Sequence, residues 1–238
     1  MRGIGTIVNV LAVIIGGLVG LVIKGGLKQR YQDILNQTLG LVTMFIGVSG
    51  AMKGMLAVNG SVLETKGTML LIASMVTGAL LGEWINIELG MERFGEWLKA
   101  TVKAKNDPRF VEGFVTTSLV ICVGAMAIVG AIQDGLIGDP SLLFAKSILD
   151  CVIVVVFAST YGKGTIFSAI PIAILQGGVT IFAGILEPLL SDIVIDTLSF
   201  VGSVLIFCVG VNLCFGKRFK VGNMLPALIT AGVFCNFL

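Results

Sequence analysis

The sequence contains no histidine, which removes the commonest metal ligand and the side chain best suited to general base work near neutral pH. Charge is scarce too: 13% of residues are Asp, Glu, Lys or Arg, about half the roughly 25% of an ordinary soluble domain. No stretch is polar and long enough to fold as a separate soluble domain, so an enzyme outside the membrane has nowhere to sit. Cys122, Cys151, Cys208, Cys214 and Cys235 stand singly inside apolar runs without a CxxC spacing. They indicate neither a zinc site nor a disulfide framework and read as small hydrophobes. No P-loop, dinucleotide fingerprint, nucleophile elbow or catalytic dyad is recognisable. The expectation is a protein that is not an enzyme and has no cofactor, no resident metal and no nucleic-acid partner.

What the chain has in abundance is apolar length. Mean hydropathy is +1.03, and apolar runs of about 18 residues or more, each enough to cross about 30 Å of hydrocarbon as a helix, recur throughout. They do not alternate as barrel strands do. The expected spans are 4–23, 34–58, 68–88, 113–133, 141–160, 164–187, 197–216 and 222–238. The fold class is therefore all-α: a polytopic transmembrane bundle of about eight spans forming a single membrane domain, 1–238, with a terminal helix pair at 197–238. The first run lacks a small-x-small cleavage site and is followed by Lys24, Lys28 and Arg30, so it reads as an uncleaved helix.

The basic residues set an orientation. With eight crossings, one face receives Lys24, Lys28, Arg30, Arg93, Lys99, Lys103, Lys105, Arg109, Lys163, Lys217, Arg218 and Lys220. The other receives only Arg2, Lys53, Lys66 and Lys146. Twelve against four makes the first face cytoplasmic and puts both termini outside. Residues 89–105 form an interfacial amphipathic helix, with Leu89, Phe94, Trp97, Leu98 and Val102 on one stripe and Glu92, Arg93, Glu96, Lys99 and Lys103 opposing them. The lipid bilayer is thus the first expected partner; a docked protein is the alternative for this helix, and homo-oligomer formation is left open.

Self-comparison suggests three-helix units at 3–89 and 113–188. Val19-Gly20 matches Val129-Gly130 and Lys53-Gly54 matches Lys163-Gly164, while a second register pairs Gly5-Thr6-Ile7 with Gly164-Thr165-Ile166. Either register separates the copies by an odd number of crossings, which makes them inverted, as in secondary transporters. Chance similarity among glycine-rich helices is the alternative.

One stretch is more specific. Phe110-Val111-Glu112-Gly113-Phe114-Val115-Thr116-Thr117-Ser118-Leu119, followed by Cys122 to Gly135 with Gln133-Asp134-Gly135 at its end, resembles the core motif of the YqgA/YdfK-like family, bacterial membrane proteins labelled as having a domain of unknown function. Gly138-Asp139-Pro140-Ser141, Lys146-Ser147-Ile148-Leu149-Asp150 and Gln176-Gly177-Gly178 extend the match over essentially the whole chain. The resemblance implies a multi-pass protein of the bacterial inner membrane and brings no established activity.

Candidate chemistry rests on polar groups within spans, where a charge near the bilayer centre costs at least about 2.5 kcal/mol. Asp150 lies some ten residues into the fifth span: a cation or proton site, or a hydrogen bond locking two helices. Gln176, Gly177 and Gly178 follow Pro171 in the sixth span and suggest a helix broken at membrane depth; close packing through small residues is the alternative. Asp150 and Gln176 are expected at similar depth, since they lie twelve residues before and fourteen after Gly162, and together they are suited to a desolvated cation or a substrate ammonium. Glu112 and Thr117 near one end of the fourth span, and Gln133 and Asp134 at the other, mark the two mouths of a polar path, or a helix-dipole complement and a solvated loop residue. Glu83 is expected to snorkel or pair near the cytoplasmic interface. The leading expectation is a small secondary transporter or ion-conducting protein for a small cation or solute; the alternative is a non-transporting membrane scaffold or sensor.

Overall fold

The computed structural model describes residues 2–24, 29–60, 62–104, 107–123, 125–189 and 191–235. In chain order the elements are α1 (Ile4–Lys24), α2 (Gln29–Met55), a hairpin of β1 (Leu56–Asn59) and β2 (Val62–Thr65), α3 (Thr68–Ile85), α4 (Ile87–Thr101), α5 (Phe110–Cys122) and α6 (Ala125–Leu136). There follow α7 (Ser141–Tyr161), a 3-10 helix (Lys163–Ser168) running into α8 (Ala169–Ile181), α9 (Ala183–Leu186), a second 3-10 turn (Glu187–Leu189), α10 (Asp192–Phe215), α11 (Val221–Met224) and α12 (Pro226–Phe234). Apart from the one hairpin, the described residues make an all-α membrane protein. Six helical segments are long and apolar enough to cross a bilayer: Ile4–Ile23, Asp33–Met55, Thr68–Ile85, Ser141–Tyr161, Lys163–Ile181 and Asp192–Phe215. The pair α5 and α6, bent by 62°, is a seventh candidate, and Val221–Phe234 is a shorter apolar helix. The last three residues of the expected span 222–238 and the last of the expected helix 89–105 lie outside the described residues.

Three expectations are corrected. The span expected at 113–133 is interrupted between α5 and α6. The break expected at Gln176, Gly177 and Gly178 is absent, and α8 runs through all three. Pro171 sits in the first turn of α8, where its missing N–H leaves no helical bond unmade, so it starts the helix instead of breaking it. The span expected to reach residue 58 ends at Met55, and its last three residues fall in the antiparallel strand β1, Leu56 pairing with Thr65 and Val58 with Leu63.

The chain divides into two compact units. The first comprises Met1–Asn36, Gly90–Cys122 and Met126–Pro188; the second comprises Gln37–Leu89, Val123–Ala125 and Leu189–Leu238.

In the first unit α1 lies along α7. Thr6, Asn9, Val13, Gly16, Gly17 and Gly20 recur at helical spacing on the inner face of α1, while Ile7, Leu11, Ile15, Leu18 and Val22 are exposed on the other. Such a helix, small or polar inward and apolar outward, suits lipid surroundings, where close packing takes the place of the hydrophobic effect. A Cβ at Gly16 would stand 2.6 Å from the carbonyl oxygen of Cys151, and one at Gly20 would overlap that of Val155. The apolar centre is Val13, Ile121, Val154, Ala169 and Ile172. α7 ends at Gly162, whose φ of 97° and ψ of −149° suit glycine alone, and whose N–H closes on the carbonyl of Ala158 at 3.0 Å. The chain thereby turns at once into the 3-10 helix and α8. The stripe of α4 is used in part for packing: Leu98 is buried with Phe110 and Phe114, and Phe94 stacks on Trp97 at 5.6 Å and tilts against Phe114 at 5.8 Å.

In the second unit α3 packs on α12 and α10 about Leu70, Phe200, Val201, Ala227 and Ala231. Asn86, at φ 57°, closes α3 through its N–H on Gly82 and turns the chain into α4.

Candidate functional site

One buried polar network stands out in the first unit. Lys146 and Asp150 are one turn apart on α7, so both project to the same side. The Lys146 ammonium donates to Asp150 Oδ2 at 2.5 Å and to the carbonyl oxygen of Ile121 at 3.0 Å. Ile121 is in the last turn of α5, where carbonyls have no intrahelical partner and the helix dipole is negative. The interruption between α5 and α6 thus creates the acceptor that Lys146 caps. From α1, Asn9 Nδ2 donates to Asp150 Oδ2 at 3.0 Å and to Gln176 Oε1 at 3.1 Å, the latter on α8. Lys146 is 7% exposed, Asp150 3%, and Asn9 and Gln176 0%. Asp150 lies nine residues past Ser141, about 14 Å along its helix, close to the middle of a 30 Å hydrocarbon layer.

Elementary donor and acceptor chemistry fixes the amides. A carboxylate only accepts, so Asn9 turns Nδ2 toward it; the second Nδ2 proton then requires an acceptor, which orients Oε1 of Gln176 inward. Asn9 Oδ1 and Gln176 Nε2 are left buried with no partner in the protein, as is Thr117 Oγ1 one turn before Ile121 on α5. The neighbouring Ser118 does make the usual backbond, to Phe114 at 2.6 Å. An unpaired buried polar atom costs about 1–3 kcal/mol, and two of these three, Asn9 Oδ1 and Gln176 Nε2, belong to the side chains that join the ion pair to α1 and α8.

The second unit supplies a contrast. There Glu88, 5% exposed, accepts from Gly222 N–H at 3.1 Å and pairs with Lys217 at 2.6 Å. Asn223 accepts from Glu88 N–H at 2.7 Å and donates to Glu83 at 2.7 Å, and Lys220 pairs with Glu83 at 2.5 Å. Two acids meet two bases, and none of these side chains carries a buried orphan atom. That cluster pins the corner between α3 and α4 to the α10–α11 connection, and nothing in it calls for a ligand.

Of the residues singled out in sequence, Asp150 and Gln176 are brought together, though through Asn9 and not directly. Thr117 lies on the α5 face that ends at Ile121. Gly177 and Gly178 adjoin Gln176 but face open space, with nothing within 4 Å of where a Cβ would be. Glu112 is exposed on the first turn of α5 and takes no part. Gln133 is half-buried on α6, its backbone carbonyl accepting from Ile137 and Asp139.

Asp134 is neither a mouth nor a solvated loop residue. It is 0% exposed and accepts the N–H groups of Gly3, Gly5 and Thr6 at 3.1, 2.9 and 3.4 Å, capping the positive end of α1. Asp139, outside the helices, accepts the Ser141 hydroxyl at 2.6 Å and its N–H at 3.0 Å, which holds its carboxyl below the usual carboxylate range.

Sequence reasoning missed Asn9 and Lys146. The signals were there: Asn9 is the strongest polar interruption of the first apolar run, and Lys146 is four residues from Asp150, helical spacing for an ion pair.

The family described as Protein of unknown function (DUF554) matches residues 4–236. The chain is 32% identical to the Uncharacterized membrane protein YdfK of Bacillus subtilis (strain 168) over 225 residues, 94% of this chain and 92% of that one. It is 30% identical to the Uncharacterized protein YqgA of Escherichia coli (strain K12) over 238 residues, 96% of this chain and 94% of that one. No solved structure matches. With the family covering nearly the whole length and six helices long and apolar enough to span, this chain is a multi-pass membrane protein that belongs to the DUF554 family.

Proposed function

We propose that the chain is a small secondary transporter or ion-conducting protein of the bacterial inner membrane, carrying a small cation or small solute through a site built from Asn9, Lys146, Asp150 and Gln176, with Thr117 and the carbonyl of Ile121 beside them. It is not an enzyme on this reading. The observation that carries the proposal is the orphan pair Asn9 Oδ1 and Gln176 Nε2 next to a buried ion pair. A purely structural lock gains nothing from leaving atoms unpaired, as the satisfied Glu83–Glu88 cluster illustrates, whereas a solute site needs groups that the cargo completes. The interrupted α5–α6 pair adds a helix end at the site, a feature that transporters use to meet ions. The basic bias of the loops supports an orientation with both termini outside if the bent α5–α6 pair and the shorter helix Val221–Phe234 cross as well as the six long spans.

The test is flux in proteoliposomes over a panel of monovalent cations and small metabolites. The partner variant is Lys146→Met/Asp150→Asn, which removes both charges together and so leaves no buried charge unpaired. Wild-type protein is expected to move at least one solute, and the double variant to fall to the rate of protein-free vesicles while keeping its gel-filtration profile. Equal flux in both proteins, or none in the wild type, overturns the proposal.

A scaffold or sensor is the second reading. It is favoured by α4, where Trp97 is 59% exposed beside Phe94, an apolar aromatic surface suited to the lipid interface.

A further inference from the structure

The Lys146–Asp150 pair is electrically neutral, and within a membrane that neutrality limits what the site can accept. A cation arriving while both charges are present leaves a net positive charge in low dielectric, and an anion leaves a net negative one. We infer, resting on the transporter reading above, that the site exchanges a small monovalent cation for the proton carried by Lys146 Nζ.

In this exchange one N–H bond of the ammonium breaks, its electron pair stays on Nζ, and the proton passes to water on the side to which the site is open. The neutral amine releases Asp150 Oδ2 and the Ile121 carbonyl oxygen, the two atoms that now hold it at 2.5 and 3.0 Å. The cation takes both; Asn9 Oδ1, orphaned and buried, belongs to the side chain that already bonds Asp150, and Thr117 Oγ1, also orphaned and buried, lies one turn before Ile121 on α5. Reprotonation of Nζ restores the ion pair and expels the cation. One positive charge enters for each that leaves, so the site is neutral in both states.

Oxygen donors decide the sign of the cargo. The orphan atoms comprise one obligate acceptor, one hydroxyl and one obligate donor, and the carboxylate and helix-end carbonyl add two acceptors. An anion could draw on Gln176 Nε2, the Thr117 hydroxyl and the third N–H of Lys146, but it would sit against the Asp150 carboxylate and the Ile121 carbonyl oxygen, both of which repel it. A single carboxylate and a single displaceable proton fit a monovalent ion, and among the described residues no three His, Cys, Asp or Glu side chains gather to hold a divalent metal. Few other groups titrate nearby. α7 itself adds Cys151 and, at its far end, Tyr161; α5 brings Cys122, which lies in the field of both charges, and the exposed Glu112. α6 brings Asp134, held by the α1 N-terminus, and the 3-10 helix brings Lys163. The faces that α1 and α8 turn to the pair carry the amides Asn9 and Gln176.

The experiment has a binding arm and a flux arm. In the first, the unfolding temperature of the purified full-length protein is measured in lithium, sodium or potassium chloride against choline chloride, at neutral and alkaline pH. The wild type is expected to be stabilised by at least one small cation, and more so at alkaline pH, where the lower proton concentration favours exchange by mass action. Lys146→Gln, with no internal cation, is expected to be stabilised equally at both pH values. Lys146→Arg keeps the ion pair but cannot lose its proton, and is expected to be stabilised at neither. In the second arm, that cation added outside vesicles loaded with a pH dye is expected to alkalinise the lumen with wild-type protein and not with Lys146→Arg.

Stabilisation of Lys146→Arg equal to wild type, stabilisation that grows as pH falls, or absence of any cation effect overturns the exchange. Cation or anion flux without the opposing proton movement also overturns it while leaving the transporter reading standing. Absence of flux for every solute overturns that reading itself.

Discussion

Lys146→Met is expected to destabilise the folded protein by about 3–5 kcal/mol, the cost of stranding one member of a buried ion pair. The methionine fills much the same volume, so the loss is electrostatic and not a cavity. Asp150 would keep only the Asn9 amide, and the Ile121 carbonyl would lose the ammonium that caps it at 3.0 Å. Adding Asp150→Asn is expected to recover about 2 kcal/mol or more, because a neutral amide at 150 needs no counter-charge and its oxygen still accepts from Asn9. Unfolding temperatures of the two single variants, the double variant and the wild type in one detergent give the coupling directly. Additive effects would mean that the two charges do not meet, and the site would lose its centre.

Gly164→Ala is expected to cost about 3 kcal/mol or more, at the upper end of overpacking effects. A Cβ there overlaps the carbonyl oxygen of Phe110 and comes within 2.9 Å of its Cα. Those are backbone atoms, with no rotamer to move aside. Phe110 starts α5, so relief requires moving the helix whose far end carries Ile121. Gly177→Ala makes the contrasting control: nothing lies within 4 Å of its Cβ, and the substitution is expected to be neutral or to stabilise α8 by roughly 0.5–1 kcal/mol. Thermal unfolding checks both. Similar costs at the two positions would mean that the close approach of α5 to the 3-10 helix is not formed.

The helical membrane class was legible because it depends on the length and apolarity of single segments, and those are local properties. Asp150 was legible for the same reason, as a charge within an apolar run. The site as a whole was not, because its bonds join residues 141 and 167 positions apart. Asn9 carries no formal charge, and a lone amide is easily passed over when a span is scanned for ionisable groups. Lys146 lies close enough to a loop to read as an outer helix end, although its spacing from Asp150 already allows the pair. Pro171 points to a break at Gln176–Gly178, yet proline in a first turn is harmless. The real interruption follows Cys122 in a stretch with no proline, and a chain with 32 glycines gives no local sign of which one ends a helix and which permits close packing. The role of Asp134 is hidden for a related reason. Nothing near it in sequence shows that the N-terminus of α1 comes to meet it.

The central claim is that a solute from water reaches the buried network. Thr117 offers the most direct test, since its hydroxyl makes no hydrogen bond and cysteine nearly matches its size. In a background with the five native cysteines replaced, Thr117→Cys is exposed to a membrane-impermeant thiol reagent added to one face of the membrane or the other. Modification is expected from both faces, slowed by the transported cation. A thiol at 117 that stays unmodified from either face, while a control cysteine at the exposed Ser141 reacts, would contradict it.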